Sequence, residues 1–166
     1  MSYQELSNEE GIKCFFYIGT AFISNNENLW INSFQNRNLR LRCFFNVIDE
    51  KTMEIFFHLT KDEFNRMEIE SPPCKTYFFG AYNQINVCQM RAFGELNLIT
   101  ESLGIEKFKK ELQKDLNRRT NDTKTSSMYQ VTTEEKLEAL EIVSNNEGLF
   151  FKFIPISYAY HCYERG

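Results

Sequence analysis

The stretch NLRLRCFFNVIDEKTMEIFFHLTKDEFNR, residues 38–66, decides the fold. Leu39, Leu41, Cys43, Phe45 and Val47 alternate with Arg40, Arg42, Phe44 and Asn46, which is the period of a strand. Asp49-Glu50-Lys51 turns the chain into TMEIFFHL, and the two runs predict a hairpin. At Leu59-Thr60 the strand rhythm stops, and a helix-like run starts at Lys61 and ends near Glu70, before Ser71-Pro72-Pro73. The junction poses a chemical question. Free N–H groups at a helix start attract a phosphate. Yet Thr60-Lys61-Asp62-Glu63 is also a T-x-x-E capping box, in which Glu63 would satisfy those groups itself. Both readings stay open in the sequence.

Working outward, CKTYFFGAY (74–82) and VCQMRAFGELNLIT (87–100) are two further strands. In the second, Cys88, Met90, Ala92, Gly94, Leu96 and Leu98 form an apolar face. Gln89, Arg91 and Glu95 lie on the other, so one side of this strand meets water, a cofactor or a partner. Upstream, NLWINSF (28–34) predicts a strand. SNEEGIKCFFYIGTAFISNN (7–26) opens on a Ser7–Glu10 capping box and places Ile12, Phe15, Phe16, Gly19, Phe22 and Ile23 on one helical face. Residues 1–27 are therefore expected to be a helical N-terminal unit. Downstream, GIEKFKKELQKDL and TTEEKLEALEIV predict helices within 104–145, separated by a polar loop over 118–131. GLFFKFIPISYAYHCY supplies closing strands over 148–164, either one strand or two broken at Pro155. The whole, 1–166, is one domain: barrel strands over 28–100 with a short helix at 61–70, then helices, then the closing strands. About six antiparallel strands with flanking helices suggest a closed or split barrel, mainly β and α+β in class.

Composition narrows the function classes. A net charge of −4 gives no footprint for nucleic acid, and KFKKELQKDLNRR alternates bases with acids as a solvated helix face does. The longest apolar run, CFFYIGTAFI, is too short to span a bilayer, so no membrane association is expected. Five cysteines without a C-x-x-C pair point to reduced thiols and a cytoplasmic setting. Two histidines and scattered cysteines support no metal site and no cysteine–histidine nucleophile. His58, on a face with Glu54 and Phe56, is expected to be an ordinary sheet residue, and Trp30 a core or dimer-contact residue.

The segments just quoted resemble, in order and spacing, the pyridoxamine 5′-phosphate oxidase-like family of FMN-binding split barrels, in its short bacterial branch. Arg40, Arg42 and Phe44 stand at the positions of an R-x-R-P-F element, MEIFFHLT at a strand end, SPPCKTYF at a helix exit, and Arg91 and Gly94 in an i-R-l-s-G strand. NNEGLFFKFIPISYAYHCY resembles the closing strands. The resemblance implies a six-stranded antiparallel split β-barrel of the FMN-binding type, a homodimer with FMN at the subunit interface, and oxidoreductase chemistry on a small-molecule redox substrate. It implies cofactor contacts from Arg40, Arg42, Cys43, Phe44, Thr60, Lys61 and Arg91; no catalytic residue is recognisable. Three positions depart from the pattern. Cys43 replaces the proline, Leu59 replaces a threonine, and Glu63 or Asn65 stands where a hydroxyl or lysine would meet phosphate. The alternative is a cofactor-free relative that keeps the barrel and dimer as a binding or structural module.

Overall fold

The computed structural model of the protein describes residues 3–5, 20–25, 40–41, 45–49, 51–67, 69–83, 87–121, 131–145 and 147–163. Among the described residues, eight strands and three helices follow one another: β1 (Tyr3–Glu5), β2 (Thr20–Ser24), β3 (Arg40–Leu41), β4 (Val47–Ile48), β5 (Ile55–Leu59), α1 (Lys61–Arg66), β6 (Cys74–Asn83), β7 (Val87–Leu98), α2 (Ser102–Asn121), α3 (Thr133–Ser144) and β8 (Leu149–Tyr163). The strands form one antiparallel sheet in the order β3-β2-β6-β7-β8-β5-β4, with β1 added along β8. Its two edges, β3 and β4, are joined by only five residues, 42–46. Six Cα steps from Leu41 to Val47 reach at most about 20 Å, so the sheet must curl until its edges nearly meet. This is the α+β split barrel that the sequence predicts.

The expected strand 38–49 is thus shared between the two edges: Arg40 and Leu41 pair with β2, whereas Val47 and Ile48 pair with β5. Burial follows the same logic. Ala21, Ile23, Leu41, Ile48, Phe57, Phe78, Met90, Ala92, Leu96 and Phe153 fill the barrel interior. On the outer face, Val47, Phe56 and Phe150 pack under α2 and α3 against Phe108, Leu112, Leu116, Ala139 and Val143. Met90, Ala92 and Leu96 bear out the apolar face read from β7, while Leu98 at its end is 42% exposed. His58 is a sheet residue, as expected. Buried between Phe45 and Phe150, it donates through Nε2 to the Glu147 carbonyl at 2.5 Å.

Several boundaries differ from the sequence reading, each for a physical reason. Thr20–Ser24 is a strand and not the end of an N-terminal helix. Ala21, Phe22, Ile23 and Ser24 are all buried because β2 is covered on both faces, so its apolar residues do not alternate. Helix α1 ends at Arg66, capped by the Met67 N–H on the Phe64 carbonyl, and not near Glu70. Helix α2 runs through Asn121, because Arg118 and Arg119 both turn back to pair with Asp115. Of the two forms the sequence left open for the closing segment, β8 is the single strand; Gly94 pairs with Pro155 and Phe93 with Ser157, so Ile156 is the extra residue of a bulge. The Ser7 capping box, the strand 28–34 with Trp30, and the loop residues 122–130 lie outside the described residues.

Candidate functional site

Thr60 ends β5 and caps α1, and here the junction's question has an answer. The Thr60 N–H donates to Glu63 Oε1 at 2.9 Å, and the Glu63 N–H donates to Thr60 Oγ1 at 3.2 Å. The reciprocal pair is a complete capping box. Asp62 and Glu63 also set negative charge against the positive end of the helix. The chain therefore supplies its own carboxylate where a phosphate would approach. A dianion brought there would be repelled by Glu63 at close range. Lys61 is exposed and makes no ion pair among the described residues.

Arg91 lies elsewhere. In the sheet register it stands between Phe79 on β6 and Ala159 on β8; the neighbouring row is Tyr77, Phe93 and Ser157. Ser157 and Ala159 are small and Tyr77 and Phe93 are large. This contrast leaves a depression of about 270 Å³ on the outer face of the sheet, lined by Tyr77, Arg91, Phe93, Ser157, Tyr158 and Ala159. The Tyr77 and Phe93 rings lie 4.8 Å apart at 45°, and Tyr77 stacks on Phe79 at 6.1 Å and 14°. Arg91 is exposed beside them. Partial burial pushes the Tyr158 phenol up from its ordinary 10.0. Aromatic faces, a phenol and a guanidinium in one shallow dish suit a flat, anionic ring system.

Of the seven residues expected to contact cofactor, Thr60 and Lys61 are adjacent at one end of β8 and Arg91 is near the other. Leu59 pairs with Leu149 and Arg91 with Ala159, ten residues on. That is about 33 Å along the strand. One protomer does not bring the two groups together. Arg40 is placed in β3 opposite Phe22 by its backbone alone, and Arg42, Cys43 and Phe44 lie outside the described residues. The sequence reading missed Tyr77 and Phe93 as companions of Arg91, and Tyr158, opposite Ala92 in the register, as a further lining residue. The alternation of β6 and β7 marks their faces, but only the strand register shows which residues share a row. Among the described residues no three histidine, cysteine or acidic side chains gather as metal ligands, and no helix is long and apolar enough to cross a membrane.

No protein-family model matches the chain, and no curated protein matches it. Solved structures do. An FAD-binding protein from Mesorhizobium loti superposes with a TM-score of 0.56 at 9% identity, over 99% of this chain and 100% of that one. The FAD binding protein from Mycobacterium smegmatis gives 0.57 at 6% identity, over 98% and 100%. A candidate pyridoxamine 5′-phosphate oxidase from Corynebacterium glutamicum gives 0.56 at 5% identity, over 99% and 100%. At such identities the likeness is one of fold. The chain has the split-barrel fold of flavin-binding and pyridoxamine 5′-phosphate oxidase-like proteins.

Proposed function

We propose that the chain is a flavoprotein that binds FMN and acts as a flavin-dependent oxidoreductase on a small-molecule redox substrate. The observation that carries this reading is the Arg91 dish on a sheet of flavin-binding type: Tyr77 and Phe93 offer flat apolar faces, and Arg91 offers a cation beside them. These residues fit a flavin ring or its anionic edge. The Thr60 junction fits a phosphate only if Glu63 releases its hold, with Lys61 then supplying the charge. Bound flavin would supply the electron transfer itself; the chain's residues hold it, orient it and keep water from its face.

The distance along β8 between the two groups favours a homodimer, in which Arg91 of one chain and the Thr60–Lys61 end of its partner could meet. Leu98, Ile156 and Tyr158, each at least 40% exposed, are surface that such a dimer would cover. The cofactor-free alternative rests on the occupied helix start at Glu63. Arg91→Ala tests the proposal: FMN affinity should fall by about 2 kcal/mol, the worth of a charge-assisted hydrogen bond. Unchanged affinity would remove Arg91 from the site, and light scattering at the monomer's 19.7 kDa would remove the dimer.

A further inference from the structure

Strands β7 and β8 each carry a cysteine on the same rung of their ladder. Cys88 is the direct register partner of Cys162. From Val87–Tyr163 to Phe93–Ser157 the pairing runs without interruption, and the register irregularity falls beyond it, between Phe93 and Gly94. The rung continues on both sides, to Tyr82 on β6 and to Gln4 on β1. The two cysteine positions therefore lie inside the sheet, where neighbouring strands hold their register.

Register sets the geometry available to them. Directly opposed residues of an antiparallel ladder share one face of the sheet, with Cα atoms about 4.5 or 5.5 Å apart according to the type of rung. Both separations fall within the roughly 4.4–6.8 Å that a disulfide spans, so no backbone movement is needed to join the two. A slip of one residue would set His161 or Tyr163 opposite Cys88 and abolish the match. Cys74 is no competitor. It stands eight residues before Tyr82 along β6, about 26 Å from the rung. Burial pushes its thiol up from the ordinary 9.0, which disfavours the reactive thiolate. Cys14 and Cys43 lie outside the described residues.

We infer that Cys88 and Cys162 form a reversible cross-strand disulfide by exchange with a low-molecular-weight disulfide such as oxidised glutathione. The thiolate of one cysteine attacks a sulfur of that disulfide and expels the first small thiol. The other cysteine then attacks the protein sulfur of the mixed disulfide and expels the second. The chain loses two electrons and two protons, and the small disulfide takes them up as two thiols. In a reducing setting both cysteines stay thiols; an oxidising shift closes the bond and ties β7 to β8. Arg91 and Ala159 stand three residues along the same strands, about 10 Å away. The closed bond therefore also fixes the strand register beneath the Arg91 dish. The pair rests on the ladder alone and forms with or without a flavin.

Incubating the full chain with oxidised glutathione, alkylating the remaining thiols in denaturant and mapping the unreduced peptides by mass spectrometry tests this. The expected product is a Cys88–Cys162 link within one chain, with a mass loss of about 2 Da and Cys74 recovered alkylated. The linked protein should melt about 5 °C or more above the reduced one, and dithiothreitol should reverse both changes. Cys88→Ser should lack the rise in Tm and accumulate a mixed disulfide at Cys162. Should that variant fail to fold, the peptide map of the natural sequence decides by itself. Free thiols at both positions after treatment, a link from either to Cys14 or Cys43, a link between chains, or a link that leaves Tm unchanged would overturn the inference.

Discussion

Gly94 stands where β7 crosses the bulge of β8, and its replacement by alanine is the sharpest mechanical test of the barrel. A Cβ built there would lie 2.1 Å from the Ile154 carbonyl oxygen and 2.8 Å from Pro155 Cα. Both are backbone atoms of the paired strand, so no side-chain rotation relieves the clash. Opening the gap to an ordinary contact requires the two strands to part by more than an ångström, beside the bulge at Ile156. One or two ladder hydrogen bonds would weaken, at about 1 kcal/mol each, on top of an overpacking cost of about 1–3 kcal/mol. Gly94→Ala should therefore destabilise by about 3 kcal/mol, a drop of roughly 6–12 °C in Tm for a chain of this size. Gly104→Ala is the control. Its Cβ meets only Ile99 Cγ2, the movable end of a side chain, at 2.7 Å, and alanine gains about 1 kcal/mol of helix propensity in α2. Urea unfolding followed by circular dichroism measures both. If Gly94→Ala costs less than about 1 kcal/mol, or no more than Gly104→Ala, the close strand approach is not what requires glycine there.

Two further outcomes follow from the charged contacts. Lys107, bonding its side chain to Asp49, holds that carboxyl below its ordinary 3.8, and Asp49 in turn raises Lys107 above 10.5. A lowered acid contributes stability above its unfolded value and loses it as pH falls through the folded one. Asp49→Asn should thus cost up to about 1 kcal/mol near neutrality, the half-exposed lysine limiting the gain, and the difference from wild type should vanish below pH 3.8. A constant difference down to strongly acidic pH would mean the ion pair is not its source. Glu63→Lys removes the capping carboxylate and should cost about 1 kcal/mol in stability. It should also raise FMN affinity by about 1–2 kcal/mol, less at high salt, and leave riboflavin affinity unchanged if the phosphate lies at this junction.

Much of the fold was legible because its physics is local. The alternation of β7 and the T-x-x-E cap at Thr60 need only neighbouring residues to be read. Thr20–Ser24 was not legible. A strand covered on both faces presents a run of apolar residues, and such a run is indistinguishable from a short buried helix. Nor could spacing reveal that residues 38–49 serve opposite edges of one sheet, since pairing partners lie far away in sequence. Arg118 and Arg119 looked like the start of a polar loop, yet they extend α2 because Asp115 sits three and four residues before them. Arg91 was legible as an outward polar residue; its aromatic company came only with the register of β6, β7 and β8.

The absorbance spectrum of purified protein titrated with FMN addresses the flavin assignment most directly. Binding predicts a yellow protein, or saturable uptake of added FMN to one flavin per chain, weakened by Arg91→Ala. A colourless preparation that takes up no FMN would contradict it and leave the split barrel as a cofactor-free module.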